Sequence, residues 1–261
     1  MKLTYEIKKL TLKHSWGISR GSWNFKENVF VYLEKDGITG IGEAAPNSRY
    51  GETPESTIAV IKKAISLFRG CDPWQFYDLG NAIQALDPAQ TAAKAALDIA
   101  LMDWVAKSCN LPLYRYFGLN KQQTPLTTFS IGIDTPEIIR EKVKDAEIYP
   151  ILKIKLGLEN DAEIIDAVRS VTDKPLRVDA NEGWKNKEEA LEKIQWLQTC
   201  NVEFIEQPMP AEMLAETAWL RERVDIPLIA DESVKSAADI PQLAAAFDGI
   251  NIKLMKAGGL Q

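Results

Sequence analysis

From Pro125 onward, short apolar runs alternate strictly with amphipathic stretches of about three turns, and few folds accommodate that order. The runs TTFSIGI, ILKIK, PLRVD, VEFIE, IPLIAD and GINIKL read as strands. Between them PEIIREKVKDAEIY, DAEIIDAVRSV, KEEALEKIQWLQ and DIPQLAAAF read as helices. Strand, helix and strand joined by short loops require parallel pairing and a crossover each time. Six such strands in succession point to a (β/α) barrel more than to an open sheet. No glycine-rich phosphate loop follows the first strand, which argues against a dinucleotide-binding sheet. Residues 125–261 are therefore expected to form a barrel domain.

Residues 1–124 have a different texture and are expected to form an N-terminal α+β domain. Residues 2 to 45 read as a three-strand meander, with TYEIKKLTLKH alternating, NVFVYLEKDG strongly β-prone and ITGIGEAAP closing it. Ser56 to Arg69, Gln90 to Lys107 and Leu113 to Phe117 read as helices, and the polar stretch Asn120 to Thr124 as a linker.

Composition narrows the function classes. Of 261 residues 46% are apolar and 26% charged, with a net charge of -6 and both signs interspersed, so there is no basic footprint for nucleic acid. No apolar run reaches the length of a membrane span, and MKLTYEIKKLTLKH lacks the continuous apolar core of a signal peptide. Cys71, Cys109 and Cys200 form no CxxC pair and read as reduced thiols of a cytoplasmic protein. His14 is the single histidine, which rules out a zinc site built on several imidazoles. No GxSxG elbow accompanies it, so His14 reads as an ordinary strand residue. Any chemistry falls to carboxylates and lysines.

Those residue types sit where the strands end. The second strand of the series ends in Lys153 and Lys155, the third in Asp179 and Asn181, the fourth in Glu206, the fifth in Asp231 and Glu232, and the sixth carries Lys253. The charges recur roughly once per βα unit, so each unit delivers one at the same height. In a barrel that height is the C-terminal face, where active sites lie. Residues two apart on a strand share a face, so Lys153 points with Lys155 and Asp179 with Asn181. A single strand-end aspartate is more often a salt bridge or a helix cap; five units in step are not explained that way. Three carboxylates make a hard, all-oxygen site that favours Mg²⁺ over zinc. A lysine on each flank suits removal of a carbon-bound proton and its return to the opposite face, through an enediolate that the ion stabilises. A lysine serves as base only with a depressed pKa, and neighbouring positive charge pushes it that way.

KIKLG, RVDANEGW, EFIEQP, IADES and INIKLMKAGGL resemble the strand ends of the enolase superfamily, muconate-lactonizing subgroup, which uses a lysine or histidine base with Mg²⁺. AAKAALDIALMDWVAK and ITGIGEAAP resemble that family's capping domain. The resemblance implies a capping domain followed by a (β/α)7β barrel. It implies that Asp179, Glu206 and Asp231 bind Mg²⁺, that Lys155 and Lys253 are the acid/base pair, and that Lys153 assists electrostatically. The lack of a histidine base separates the chain from the mandelate-racemase subgroup. TTFSIGID and NIKLMKAGG are most similar to the dipeptide epimerases, isomerases that act on Ala-Glu and related dipeptides. In those enzymes an arginine in the mobile loop between the first two strands meets the acidic side chain of the substrate. Arg20 lies in that loop here, and Arg20, Asn181 and Glu232 are the candidate substrate residues. Glu232 reads equally as a support for its neighbour or as an acid starting a helix.

The expected partner is a small molecule, a dipeptide or another carboxylate, with no nucleic acid or membrane and with a homo-oligomer left open. An o-succinylbenzoate synthase or a muconate-type cycloisomerase would carry the same lysines and ligands. A Schiff-base aldolase would also place lysines at a barrel face, though three carboxylates argue against it. The sequence stops at Gln261, after the sixth barrel strand, so the barrel reads as truncated. The natural protein is expected to continue, and the first and sixth strands are expected not to pair. A truncated, inactive metal-binding domain is the non-enzymatic alternative.

Overall fold

The computed structural model describes residues 1–261. By internal packing they fall into two units. One comprises Met1–Thr11, Phe25–Thr124 and Ile252–Gln261; the other comprises Leu12–Asn24 and Pro125–Asn251. Two segments thus depart from a simple cut at residue 124. The outer part of the first hairpin belongs with the parallel sheet, and the last ten residues with the N-terminal unit.

In the first unit a sheet runs in the order β1 (Lys2–Ile18), β2 (Gly21–Lys35), β3 (Ile38–Ala44). Helices α1 (Pro54–Phe68), α2 (Phe76–Gln84), α3 (Thr91–Ser108) and α4 (Leu113–Tyr116) follow. Helix α1 starts cleanly because Thr53 and Ser56 form a reciprocal capping box and Pro54 supplies a preset first turn. Helix α3 is alanine-rich and buried nearly all round, including Ala92, Ala93, Ala96, Leu97, Ala100 and Leu101. It lies directly on β3, which presents Gly40 and Gly42 to it. A Cβ on Gly42 would come within 1.9 Å of the Ala96 carbonyl oxygen, so only glycine permits that approach. Val29, Val31 and Leu33 on the inner face of β2 pack with Ile61, Phe68 and Ile83.

The second unit holds six strands in unbroken sequence order: β4 (Thr128–Ile131), β5 (Ile151–Lys155), β6 (Leu176–Asp179), β7 (Val202–Glu206), β8 (Leu228–Ala230) and β9 (Gly249–Ile250). All neighbours pair in parallel, and β4 and β9 are the edges. Helices α5 (Pro136–Asp145), α6 (Asp161–Arg169), α7 (Lys187–Gln198), α8 (Leu214–Arg221) and α9 (Ile240–Leu243) alternate with them. Ile154, Val178, Ile205 and Leu228 on the strands and Ile139, Ile165, Ile194 and Leu220 on the helices form one continuous core. No helix of the chain is long and apolar enough to cross a membrane.

Three expectations need correction. The sixth strand is not GINIKL but only Gly249–Ile250, and Lys253 lies beyond it, exposed at the start of α10 (Leu254–Ala257). A strand lasts only as far as its neighbour, and β8 ends at Ala230, whose carbonyl takes the Asn251 amide at 2.7 Å. The region read as one helix over DIPQLAAAF is a short 3-10 turn, Ala237–Asp239, followed by the four-residue α9. Finally, the strands of the first hairpin run further than TYEIKKLTLKH suggests, leaving only a two-residue connection. Strand β1 continues to Ile18, β2 begins at Gly21, and Ser19 and Arg20 are the turn itself. The extension is supported where the Gly17 carbonyl accepts from Ile133 N at 2.8 Å. A Cβ on Gly17 would sit 2.3 Å from the Ile133 carbonyl oxygen. Gly17→Ala is expected to destabilise the protein by about 1–3 kcal/mol through that overlap. Chemical denaturation measures it, and an unchanged midpoint would show that the contact yields freely.

Candidate active site

Register builds the site. Lys155 pairs with Asp179, and Asp179 pairs with Glu206, so three charged side chains stand in one row at the C-terminal ends of β5, β6 and β7. The row depends on an irregularity. Leu176 faces Val202, but Val178 faces Ile205, so β7 carries one extra residue there. Without that bulge Asp179 would face Ile205, and Glu206 would point to the other side of the sheet. Asp231 follows one residue after β8 ends and two after Ile229, the partner of Glu206, which returns it to the same face.

Asp179, Glu206 and Asp231 are buried, and their oxygens lie within 4.8 Å of one another. Lys155 Nζ lies 2.5 Å from Asp179 Oδ2, and Lys153 Nζ lies 2.8 Å from the same oxygen and 2.6 Å from Glu206 Oε2. Burial alone would depress the pKa of Lys153. The charges of Asp179 and Glu206 outweigh it and hold this lysine above the ordinary value, as a fixed cation. Asp179 is likewise opposed by burial, yet Lys155 and Lys153 hold its carboxyl well below the usual range. Glu206 is pushed up to about 7, first by burial and then by the charge of Asp179, against the pull of Lys153.

This donor set fits a hard divalent cation. Three carboxylates converge, none is exposed, and the mutual repulsion that raises Glu206 is what a 2+ ion relieves. The sign of the pH effect follows. With its pKa raised from 4.5, Glu206 contributes stability to the ion-free protein below that value, and loses it as pH rises through about 7. Below about 7 an incoming ion must also displace the Glu206 proton. Mg²⁺ should therefore raise the Tm more at pH 8 than at pH 5.5. A Mg²⁺ effect that grows toward acid would contradict the assignment.

Two site residues were not singled out from the sequence. Asn251, just past β9, donates from Nδ2 to Glu206 Oε1 at 2.8 Å. Gln207 accepts at Oε1 from the amides of Asp231 (2.9 Å) and Ser233 (3.1 Å), and donates from Nε2 to Met209 O and Ser233 Oγ. It does so from a left-handed backbone, φ 38°. Both are neutral, so a search for charged strand ends passes over them. The doubled polar pairs Glu206-Gln207 and Asn251-Lys253 are the signal that could have marked them.

The three candidate substrate residues are found together. Arg20 Nη2 lies 2.7 Å from Glu232 Oε1, and Asn181 Nδ2 donates to the same oxygen at 3.2 Å. His14, read as an ordinary strand residue, pairs with Asp145 at 3.2 Å.

Comparison with known proteins agrees with this architecture. Residues 4–118 match the family model "Mandelate racemase / muconate lactonizing enzyme, N-terminal domain", and residues 138–261 match "Enolase C-terminal domain-like". The chain is 46% identical over 262 residues to the L-Ala-D/L-Glu epimerase of Bacteroides thetaiotaomicron, covering 100% of this chain and 68% of that protein. A dipeptide epimerase of Enterococcus faecalis, solved with Mg and L-Leu-L-Tyr, superposes with a TM-score of 0.92 at 31% identity, covering 99% of this chain and 75% of that one. The substrate-liganded L-Ala-D/L-Glu epimerase of Bacillus subtilis gives 0.90 at 30% identity, covering 99% and 76%. With both the N- and C-terminal family models matched and a relative this similar along the whole of this chain, the chain belongs to the enolase superfamily, in the mandelate racemase / muconate lactonizing enzyme family.

Proposed function

We propose that the protein is a Mg²⁺-dependent dipeptide epimerase, an isomerase that removes the α-proton beside a carboxylate and returns it to the opposite face. The observation that carries this reading is the row of Lys155, Asp179 and Glu206 closed by Asp231, a carboxylate cluster with a lysine built into it. Asp179, Glu206 and Asp231 would hold the ion. When bound, Mg²⁺ supplies Lewis-acid stabilisation of the substrate carboxylate as its α-carbon becomes acidic.

The rest is work for the chain's own side chains. Lys155 Nζ, fixed on Asp179, takes or returns the proton on one face. Lys253 Nζ serves the other; it follows Asn251 by two residues in the chain, and Asn251 is already bonded to Glu206. Lys153 remains charged and gives the cluster a permanent positive partner. Asn251 and Gln207 hold Glu206 and Asp231 in place. The dipeptide class is supported by the relatives named above, which are epimerases of Ala-Glu and of other dipeptides. An o-succinylbenzoate synthase or a cycloisomerase has no comparable support.

The test is chiral chromatography of L-Ala-L-Glu and a panel of hydrophobic and basic L,L-dipeptides incubated with the protein and Mg²⁺. An L,D product that is absent with EDTA is expected. Conversion of o-succinylbenzoate or muconate precursors with no dipeptide turned over would reject the proposal.

A further inference from the structure

We propose that Arg20 is a positioning residue, a clasp that fixes the loops carrying Asp179 and Asp231. The inference rests on reading those carboxylates as ion ligands. The guanidinium at the hairpin turn touches two strand-end loops at once. Nη1 donates to Asn181 O at 2.7 Å and to Glu182 Oε2 at 2.9 Å, both in the loop after β6. Nη2 donates to Glu232 Oε1 at 2.7 Å, in the loop after β8. Glu182 relays the grip to a third loop, since its Oε1 accepts from Ala211 N at 3.0 Å. Ser19 Oγ adds a second donor to Asn181 O at 2.9 Å. A planar fork with five N–H groups can serve several oxygens in fixed directions, and a lysine cannot.

The contacts at Asn181 and Glu232 end one hydrogen bond or one residue from a ligand. Asn181 N donates to Asp179 Oδ1 at 3.0 Å, so what holds Asn181 also orients Asp179. Glu232 adjoins Asp231. Asn181 and Glu182 both hold left-handed backbone, at φ 45° and 65°. Non-glycine residues keep that conformation where their surroundings impose it. The two donors on Asn181 O and the ion pair to Glu182 are such surroundings. Glu232 is 4% exposed, and its Oε2 has no partner, as is also true of Asn181 Oδ1. Flipping the Asn181 amide would set oxygen against oxygen at Glu232. Glu232 is therefore stabilised through Oε1 alone, by Arg20 and Asn181. With Arg20 removed, its buried charge stands beside Asp231 without a cation. The hairpin tip is itself anchored by the Gly17–Ile133 backbone contact, so the clasp acts from a fixed point.

The experiment compares the whole protein with Arg20→Met and Arg20→Lys. Mn²⁺ binding is titrated by electron paramagnetic resonance, and amide hydrogen exchange is followed at 180–184 and 231–235, with 164–169 of α6 as internal reference. Arg20→Met should weaken Mn²⁺ binding by about 10- to 100-fold, as loss of a partner behind metal ligands does. It should also speed exchange in both loops and leave the reference unchanged. Arg20→Lys should fall between. Arg20→Met with wild-type affinity and wild-type exchange would overturn the proposal, and is the result expected of an arginine that only meets substrate. Should exchange also rise in the reference, the fold is impaired and Arg20→Lys decides: loops faster with the reference unchanged supports the clasp, any other outcome overturns it. Should the wild-type protein bind no Mn²⁺, the ion reading fails and exchange alone judges the clasp.

Discussion

Lys155→Met is expected to slow proton removal from one face of the substrate by about a hundred- to ten-thousand-fold, the usual contribution of a positioned base. Lys155 is buried, and its Nζ lies 2.5 Å from Asp179 Oδ2. The fold should survive, because Lys153 still neutralises both Asp179 and Glu206. Epimerisation needs both faces and should vanish. Exchange of the α-proton with solvent should persist for one enantiomer only, and Lys253→Met should show the mirror pattern. Epimerisation at the wild-type rate in either variant would end the two-base scheme.

The second large effect is at Asp179. One oxygen of this fully buried carboxylate takes both ammonium groups, and the other orients the Asn181 amide. Asp179→Ala leaves two cations facing each other without their common anion. Breaking a buried pair in this way costs about 3–5 kcal/mol, a large part of a domain's stability. Asp179→Asn keeps the shape and should cost less. In both variants Mg²⁺ should no longer raise the Tm. A full Mg²⁺ response in Asp179→Asn would show that the ion sits elsewhere.

The sequence carries much of this site because a parallel sheet repeats itself. Each βα unit returns the chain to the same edge, so Lys155, Asp179, Glu206 and Asp231 can be aligned by their recurrence along the chain alone. What it does not carry depends on neighbours. The bulge opposite β6 decides whether Glu206 joins the row, yet VEFIE reads as a plain strand with or without it. The two-residue length of β9 is set by where β8 stops, so Lys253 falls past the strand that GINIKL suggests. Ser15, Gly17 and Ser19 look like loop residues, but Gly17 is in a strand because Ile133 comes to meet it. Arg20 was legible as a candidate and not in its geometry, since its carboxylate partners lie more than 160 residues away.

Three strand-end carboxylates and their lysines are proposed to make a carbon acid of a bound dipeptide. Proton NMR of L-Ala-L-Glu and of a hydrophobic dipeptide in D₂O tests it most directly. With Mg²⁺ present, the α-proton signal of the residue bearing the free carboxylate should decay, and the N-terminal residue's α-proton should not. The decay should stop with EDTA and be absent in Asp179→Asn. Exchange that continues unchanged in EDTA, or no exchange from any dipeptide at saturating Mg²⁺, would contradict the account, the second result leaving a metal-binding domain without turnover.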